Sequence, residues 1–380
     1  MKRLPLALLL TIASCCVVDR AVAQQAADAG ATVRAALPPF AEPGDESAQY
    51  VVETVLADLA IPCGIAVRPG APDAGPYELF ISGGGQIVRF STDKPGASTA
   101  AVTDFPLSAG SDAPQHRLRP MGLDFLTRTK LTVGVGGTGD GAPSIRVYAL
   151  PEDDAAVAFD NIDHAVELTT ASRRAATGGA GHFQLFGMTK TEDALYAASG
   201  DESHGWILKA RIEANRLTEL QTFVATNSVS GVENPRAVVV NPKPQAHYLV
   251  AGQMGDVGAE RDSAITFYGP VSGEVALNLR TGLYDVAGLA YSPTGDLYAI
   301  DYSWHDGKSG GVYRIDAAEV DGRQSCQAVK IAAASLPAAM AFTPDGALYV
   351  GASERGDSDD TDKPRGVLLK ISPKPGTPAL

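Results

Sequence analysis

One unit of this sequence recurs, and the recurrence limits what the chain can become. Val286 to Tyr291 is a small apolar run, Pro293-Thr294-Gly295-Asp296 is a turn signal, and Leu297 to Asp301 is a second apolar run with an aromatic in alternation. After a polar stretch, Gly311 to Asp316 adds a third run. Short runs of this kind, divided by Pro, Gly and Asp, read as antiparallel strands joined by tight turns. The Gly288 position returns at Ala339, 51 residues later, within Ala338 to Val350, and that copy closes in Gly366 to Ile371. A single sheet of this size cannot bury both faces, so it has to stack against copies of itself.

Four earlier copies are visible. They begin at Pro62-Cys63-Gly64, Pro120-Met121-Gly122, Phe186-Gly187-Met188 and Pro235-Arg236-Ala237. With Gly or Ala at 64, 122, 187, 237, 288 and 339 as the marker, the spacings are 58, 65, 50, 51 and 51 residues. Each interval holds four short strands with their turns, and six such sheets around an axis make an all-β, six-bladed β-propeller. The last unit is one strand short, because only a proline-rich segment follows Ile371. Tyr50 to Leu56, a strand with no unit of its own, is expected to complete it and close the ring, so that no sheet edge is left open. The propeller is therefore placed at residues 47–374, with a flexible leader over 24–46 and a tail over 375–380.

Met1-Lys2-Arg3, the apolar run Leu4 to Val18 and Ala21-Val22-Ala23 have the order of an export signal over residues 1–23, too short for a transmembrane span. Release after Ala23 gives a secreted or periplasmic protein. Ile12-Ala13-Ser14-Cys15 resembles a lipobox and gives the other route, a lipid anchor on Cys15. Of the four cysteines only Cys63 and Cys326 lie in the repeats, so a disulfide framework is not the source of stability; both are expected as buried thiols, although export permits a bridge. The formal charge of −13 disfavours nucleic acid and anionic lipid as partners. A monomer with a small-molecule, carbohydrate or protein ligand is expected.

In a propeller, the loop entering each innermost strand and the loop joining the second and third strands share one face around the axis. The residue before each marker sits on that rim: Cys63, Met121, Phe186, Arg236, Ala287 and Ala338. Arg236 stands out, because a planar guanidinium can clamp a carboxylate or sulfate; the plain alternative is an ion pair with Glu233 or a loop aspartate. The loops between second and third strands add Asp140, Asp201 with His204, Asp256, and Asp301 with Trp304 and His305. Together they read as an acidic, ligand-binding face, with Trp304 and His305 as an aromatic platform beside a general base. Turns also favour Asp and Gly for backbone reasons alone. Asp357, Asp359 and Asp362 alternate as calcium ligands do, making a divalent cation the one cofactor expected, although Asp362 stands where an EF-hand loop has Gly. His182 is a further candidate, whereas His116, His164 and His247 are expected to be structural.

The fold pattern, together with Gly288 to Tyr298, resembles the gluconolactonase and senescence-marker family and the related NHL-type and TolB-like six-bladed propellers. In the lactonases, Glu, Asn and Asp at rim positions hold a divalent cation that polarises the lactone carbonyl. The six rim positions here offer no carboxylate or amide, and Ala287 stands where the family has Asn. The resemblance therefore implies the architecture, and a metal-dependent lactonase-like hydrolase is the alternative to a binding or scaffold protein. Asp362 to Ile371 is also similar to the glucose/sorbosone dehydrogenase family, which implies a second alternative, a quinone-dependent sugar dehydrogenase. No Cys-x-x-Cys, Walker loop, nucleophile elbow or His-Glu-x-x-His pattern is present.

Overall fold

The computed structural model describes residues 39–70, 75–106, 119–136, 143–170, 172, 184–200, 205–243, 247–304, 310–353 and 366–380. Strand β1 (Ala41–Asp45) and β2 (Tyr50–Leu59) precede the first blade, formed by β3 (Pro62–Val67), β4 (Glu78–Gly83), β5 (Gln86–Ser91) and β6 (Ser98–Thr103). The second blade is β7 (Pro120–Thr127), β8 (Lys130–Val135) and β9 (Ser144–Ala149), followed by the short β10 (Val157–Ala158) and the blade's outer strand β11 (His164–Glu167). Strands β12 (Leu185–Lys190), β13 (Ala194–Gly200), β14 (Gly205–Glu213) and β15 (Arg216–Ala225) make the third blade. After helix α1 (Thr226–Ser230), the fourth is β16 (Pro235–Val240), β17 (Leu249–Gln253), β18 (Ala264–Tyr268) and β19 (Val275–Arg280). The fifth is β20 (Val286–Tyr291), β21 (Leu297–Asp301), β22 (Gly311–Val320) and β23 (Arg323–Ala333). The sixth holds β24 (Pro337–Phe342), β25 (Leu348–Ser353) and β26 (Gly366–Pro373).

These make six small antiparallel sheets in a ring, a six-bladed β-propeller. Six apolar clusters hold it together, each built from the facing sides of two adjacent blades. One contains Val55, Leu56 and Leu368 of the last blade with Leu79, Ile81 and Phe90 of the first, so the circle is complete. Closure comes from β2, which pairs antiparallel with β26 through Val52 opposite Ile371 and Leu56 opposite Leu368. No described helix is long and apolar enough to cross a membrane.

Residues 39–46 and the last residues of the chain are more ordered than their composition suggests. Within the segment read as a leader, Ala41–Asp45 adds a parallel strand outside β23. Side chains anchor it: Phe40 lies beneath the Arg280 guanidinium at 5.2 Å, and Glu46 accepts from Arg314 at 3.0 Å. Arg314 is itself held in a fork by Asp316 at 2.6 and 2.8 Å. The segment thus meets one aromatic slot and one buried cation, which a search for strand periodicity cannot register. The tail likewise ends inside, with Leu380 packed among Tyr298, Leu348 and Ile371. Val157–Ala158 is a further addition, pairing parallel with β6 and so tying the second blade's connection to the first blade.

Candidate functional site

The same irregularity opens every blade. Pairing between the innermost strand and its neighbour slips just after the first residue: at Pro62/Gly64, Pro120/Leu123, Leu185/Met188, Pro235/Ala237, Val286/Gly288 and Pro337/Ala339. A bulge leaves a residue outside the ladder and re-aims its side chain. The re-aimed residues include Cys63, Met121, Phe186, Arg236, Ala287 and Ala338, and all six line one axial cavity of about 380 Å³. The markers beside them are small because the inner strands converge there. A Cβ on Gly64 would overlap the Met121 carbonyl of the next blade, and one on Gly122 would overlap the Phe186 carbonyl of the blade after it. Ser82, fully buried, donates to the same Met121 carbonyl and sets its position.

The wall is predominantly apolar. Met121, Met188, Met254 and Met340 line it with Leu289 and Phe186, and the small Ala287 and Ala338 leave room on the side of the fifth and sixth blades. Tyr302 and Trp304 also line it, their rings stacked at 6.0 Å and 7°. Trp304 remains 51 % exposed. Among the described lining residues there is no Asp or Glu, and Arg236 is the one with a formal charge.

Arg236 sits deep among surrounding atoms yet keeps part of its surface open to the cavity. Its guanidinium lies 3.9 Å from the centre of the Phe186 ring, a cation–π contact between neighbouring blades. It makes no hydrogen bond or ion pair among the described residues, and its Nε is without a partner there. Glu233, the expected counter-ion, instead accepts from the Asn227 amide at 3.0 Å. Burial pulls the Arg236 pKa down to about 10, against the opposing pull of Tyr302, Asp285 and Cys63.

Asp285 is the described carboxyl whose charge acts on this cation, and sequence reading missed it. It lies just before β20 in a position that composition does not distinguish from any turn aspartate. In the fold it is 1 % exposed, accepts the Trp304 N–H at 2.6 Å on Oδ2, and leaves Oδ1 without a partner among the described residues. Burial raises its pKa to about 6, with Asp301 and Asp262 adding to the effect and the Trp304 N–H and Arg236 opposing it. Cys63 is also in the wall; desolvation raises its thiol to about 11, making it a poor nucleophile near neutrality.

Two of the loop aspartates, Asp256 and Asp301, are described, and both accept backbone N–H groups. Asp301 is buried, and its carboxylate accepts the N–H groups of Tyr284, Asp285 and Ser303 at 3.1, 2.8 and 3.1 Å. Both oxygens are engaged with backbone, which ties Asp301 to the start of the Tyr302–Trp304 segment. Asp256 is exposed and caps its own turn through the Gly258 N–H at 2.8 Å. The acidic face read from the sequence is, at the described wall, an apolar cavity with one cation. His164 bridges blades, contacting Asp163 at 2.7 Å and accepting the Leu217 N–H at 2.9 Å, a structural role as expected. Cys63 and Cys326 are free thiols; Cys326 is fully buried and Cys63 only partly so. Asp140, Asp201, His204, His305, Asp357, Asp359 and Asp362 lie outside the described residues, as do His116 and His182.

The fold and cavity define the class: a six-bladed propeller with an axial cavity. No family model and no curated protein sequence matches the chain. Solved structures do. A protein from Thermus thermophilus described as a putative oxidoreductase (glucose dehydrogenase) aligns with a TM-score of 0.53 at 17 % identity, covering 85 % of this chain and 99 % of that one. The PQQ-bound aldose sugar dehydrogenase of Streptomyces coelicolor gives 0.51 at 15 %, over 86 % and 99 %. A luciferin-regenerating enzyme gives 0.53 at 10 %, over 87 % and 97 %. Identities this low carry the fold and nothing more specific.

Proposed function

We propose that this propeller binds a small, largely apolar molecule in its axial cavity. The observation that carries the reading is the set of six bulges, one per blade, which put a side chain from every blade onto one shared wall. A cavity near 380 Å³ with an apolar wall and few polar groups is the usual form of a small-molecule site. Methionine lends such a wall tolerance of shape, and the Tyr302–Trp304 stack offers a flat surface to a ring. A carbohydrate fits this platform less well than an aromatic or aliphatic body, since the described wall has few partners for its hydroxyls.

Trp304 is one of two tryptophans, so its fluorescence reports occupancy. A ligand entering the cavity is expected to shift Trp304 emission, and Trp304→Phe to remove the signal. Ala338→Phe, which fills the small side of the cavity, is expected to weaken binding at least tenfold. Binding left intact by Ala338→Phe would overturn the reading.

The alternative is catalysis, either lactonase-like hydrolysis with a divalent cation on loop carboxylates or quinone-dependent sugar oxidation. Among the described residues no group of three His, Cys, Asp or Glu is arranged to hold a metal. A cation would have to draw on the loops beyond them, Asp357, Asp359 and Asp362 included. Metal-dependent turnover on a panel of lactones would establish the first form, and aldose oxidation after adding quinone cofactor the second.

A further inference from the structure

We infer that the ligand of this cavity is an organic carboxylate on a flat apolar body, with its anionic group on Arg236 and its body between the Tyr302–Trp304 stack and the methionine wall. The inference rests on the small-molecule reading above and adds the ligand's chemistry. Three observations carry it. Arg236 is the one formal charge among the described lining residues, so it is the feature that discriminates one apolar visitor from another. Its guanidinium has one face against Phe186 and no ion pair or hydrogen bond among the described residues, and its Nε is unpartnered there. The rest of the wall is apolar or aromatic, matching a body of low polarity.

A guanidinium taken out of water without an acceptor is costly, and the described residues do not remove that cost with a carboxylate of their own. Asp285 acts on Arg236 through space, while its Oδ2 accepts the Trp304 N–H. A ligand carboxylate supplies two acceptors in one plane, the geometry that a guanidinium edge accepts best. A neutral ligand of the same shape would keep the apolar contacts and leave the cation unanswered. The anionic group therefore sets affinity through Arg236, while Met121, Met188, Met254 and Met340 accommodate variation in the body.

The test uses the full-length protein and a matched pair of probes, biphenyl carboxylate and its neutral isostere biphenyl carboxamide. Two readouts are taken: calorimetric affinity, and protection of Cys63 from alkylation at about pH 9, where part of its thiol is ionised, measured by peptide mass spectrometry. Cys63 lines the cavity, whereas Cys326 is fully buried and serves as the internal reference. The expected result is protection of Cys63 by the carboxylate, with at least tenfold tighter binding than the carboxamide, and loss of that preference in Arg236→Gln. Equal protection and equal affinity for both probes would overturn the anion inference and leave the cavity reading standing. Failure of both probes to bind or to protect Cys63 at millimolar concentration would overturn both. Should Arg236→Gln fold poorly, the comparison of the two probes on the unaltered protein still decides.

Discussion

Asp285 is where the energetics of single residues bear most directly on the site. Its pKa is raised to about 6, so the folded state holds the proton more tightly than the unfolded chain does. A raised carboxyl contributes stability that is complete below the unfolded value near 4 and is lost as pH climbs through 6. Asp285→Asn is therefore expected to melt higher than the unaltered protein at pH 7.5, by on the order of 2 kcal/mol, and to match it near pH 4. Asp124 is raised to about 6 as well, so the difference between the two proteins, and not either curve alone, reports on Asp285. The same substitution removes a negative charge that competes for Arg236. Carboxylate affinity should rise several-fold in Asp285→Asn with carboxamide affinity unchanged; a fall in both would assign Asp285 to holding the Trp304 segment alone.

Among the strands, the two nearest the described amino end do different work. β2 closes the ring: Leu56 and Leu368, both nearly or wholly buried, face each other across the last blade and pack on the first. Leu368→Ala should cost about 3 kcal/mol, measured as a shift in the urea midpoint, because the site is surrounded on both sides and cannot collapse around the lost atoms. β1 lies outside the ring on a complete blade, held by Phe40, Glu42 and Glu46. Removing residues 1–46 is therefore expected to lower Tm by about 5 °C and leave a folded propeller. Removing residues 1–59 should abolish cooperative unfolding, since it exposes the edge of β26 and the apolar faces of two blades. If both truncations behave alike, β2 is not the closing strand in solution.

Across the whole molecule, the ring converts six local irregularities into one cavity. A bulge in an isolated sheet would merely turn a side chain outward, but six around an axis point at a common space, and any blade can alter the site through one residue. The repeat was legible because tight turns and alternating apolar runs are short-range signals with a fixed period. The rim residues were legible for the same reason, as each stands one place before a small marker. The wall's chemistry was harder to read. Asp140, Asp256 and Asp301 look alike in sequence, whereas Asp301 turns out to be engaged with backbone N–H groups and Asp256 with its own turn. Asp285, which no local pattern marks out, is the described carboxyl whose charge acts on Arg236. Composition reports how many charges a loop carries but not which of them the backbone consumes.

The residues themselves determined the blade number, the closure by Tyr50 to Leu56 and the six rim positions, because strand period and turn chemistry are properties of neighbouring residues. Only the tertiary structure decided that the rim bounds an apolar cavity whose one guanidinium has no ion pair among the described residues, and that Ala41–Asp45 and Leu380 belong to the folded body. Those outcomes depend on which groups from distant blades are brought within a few ångströms of one another and on how much water is left between them. No local stretch of sequence carries that information.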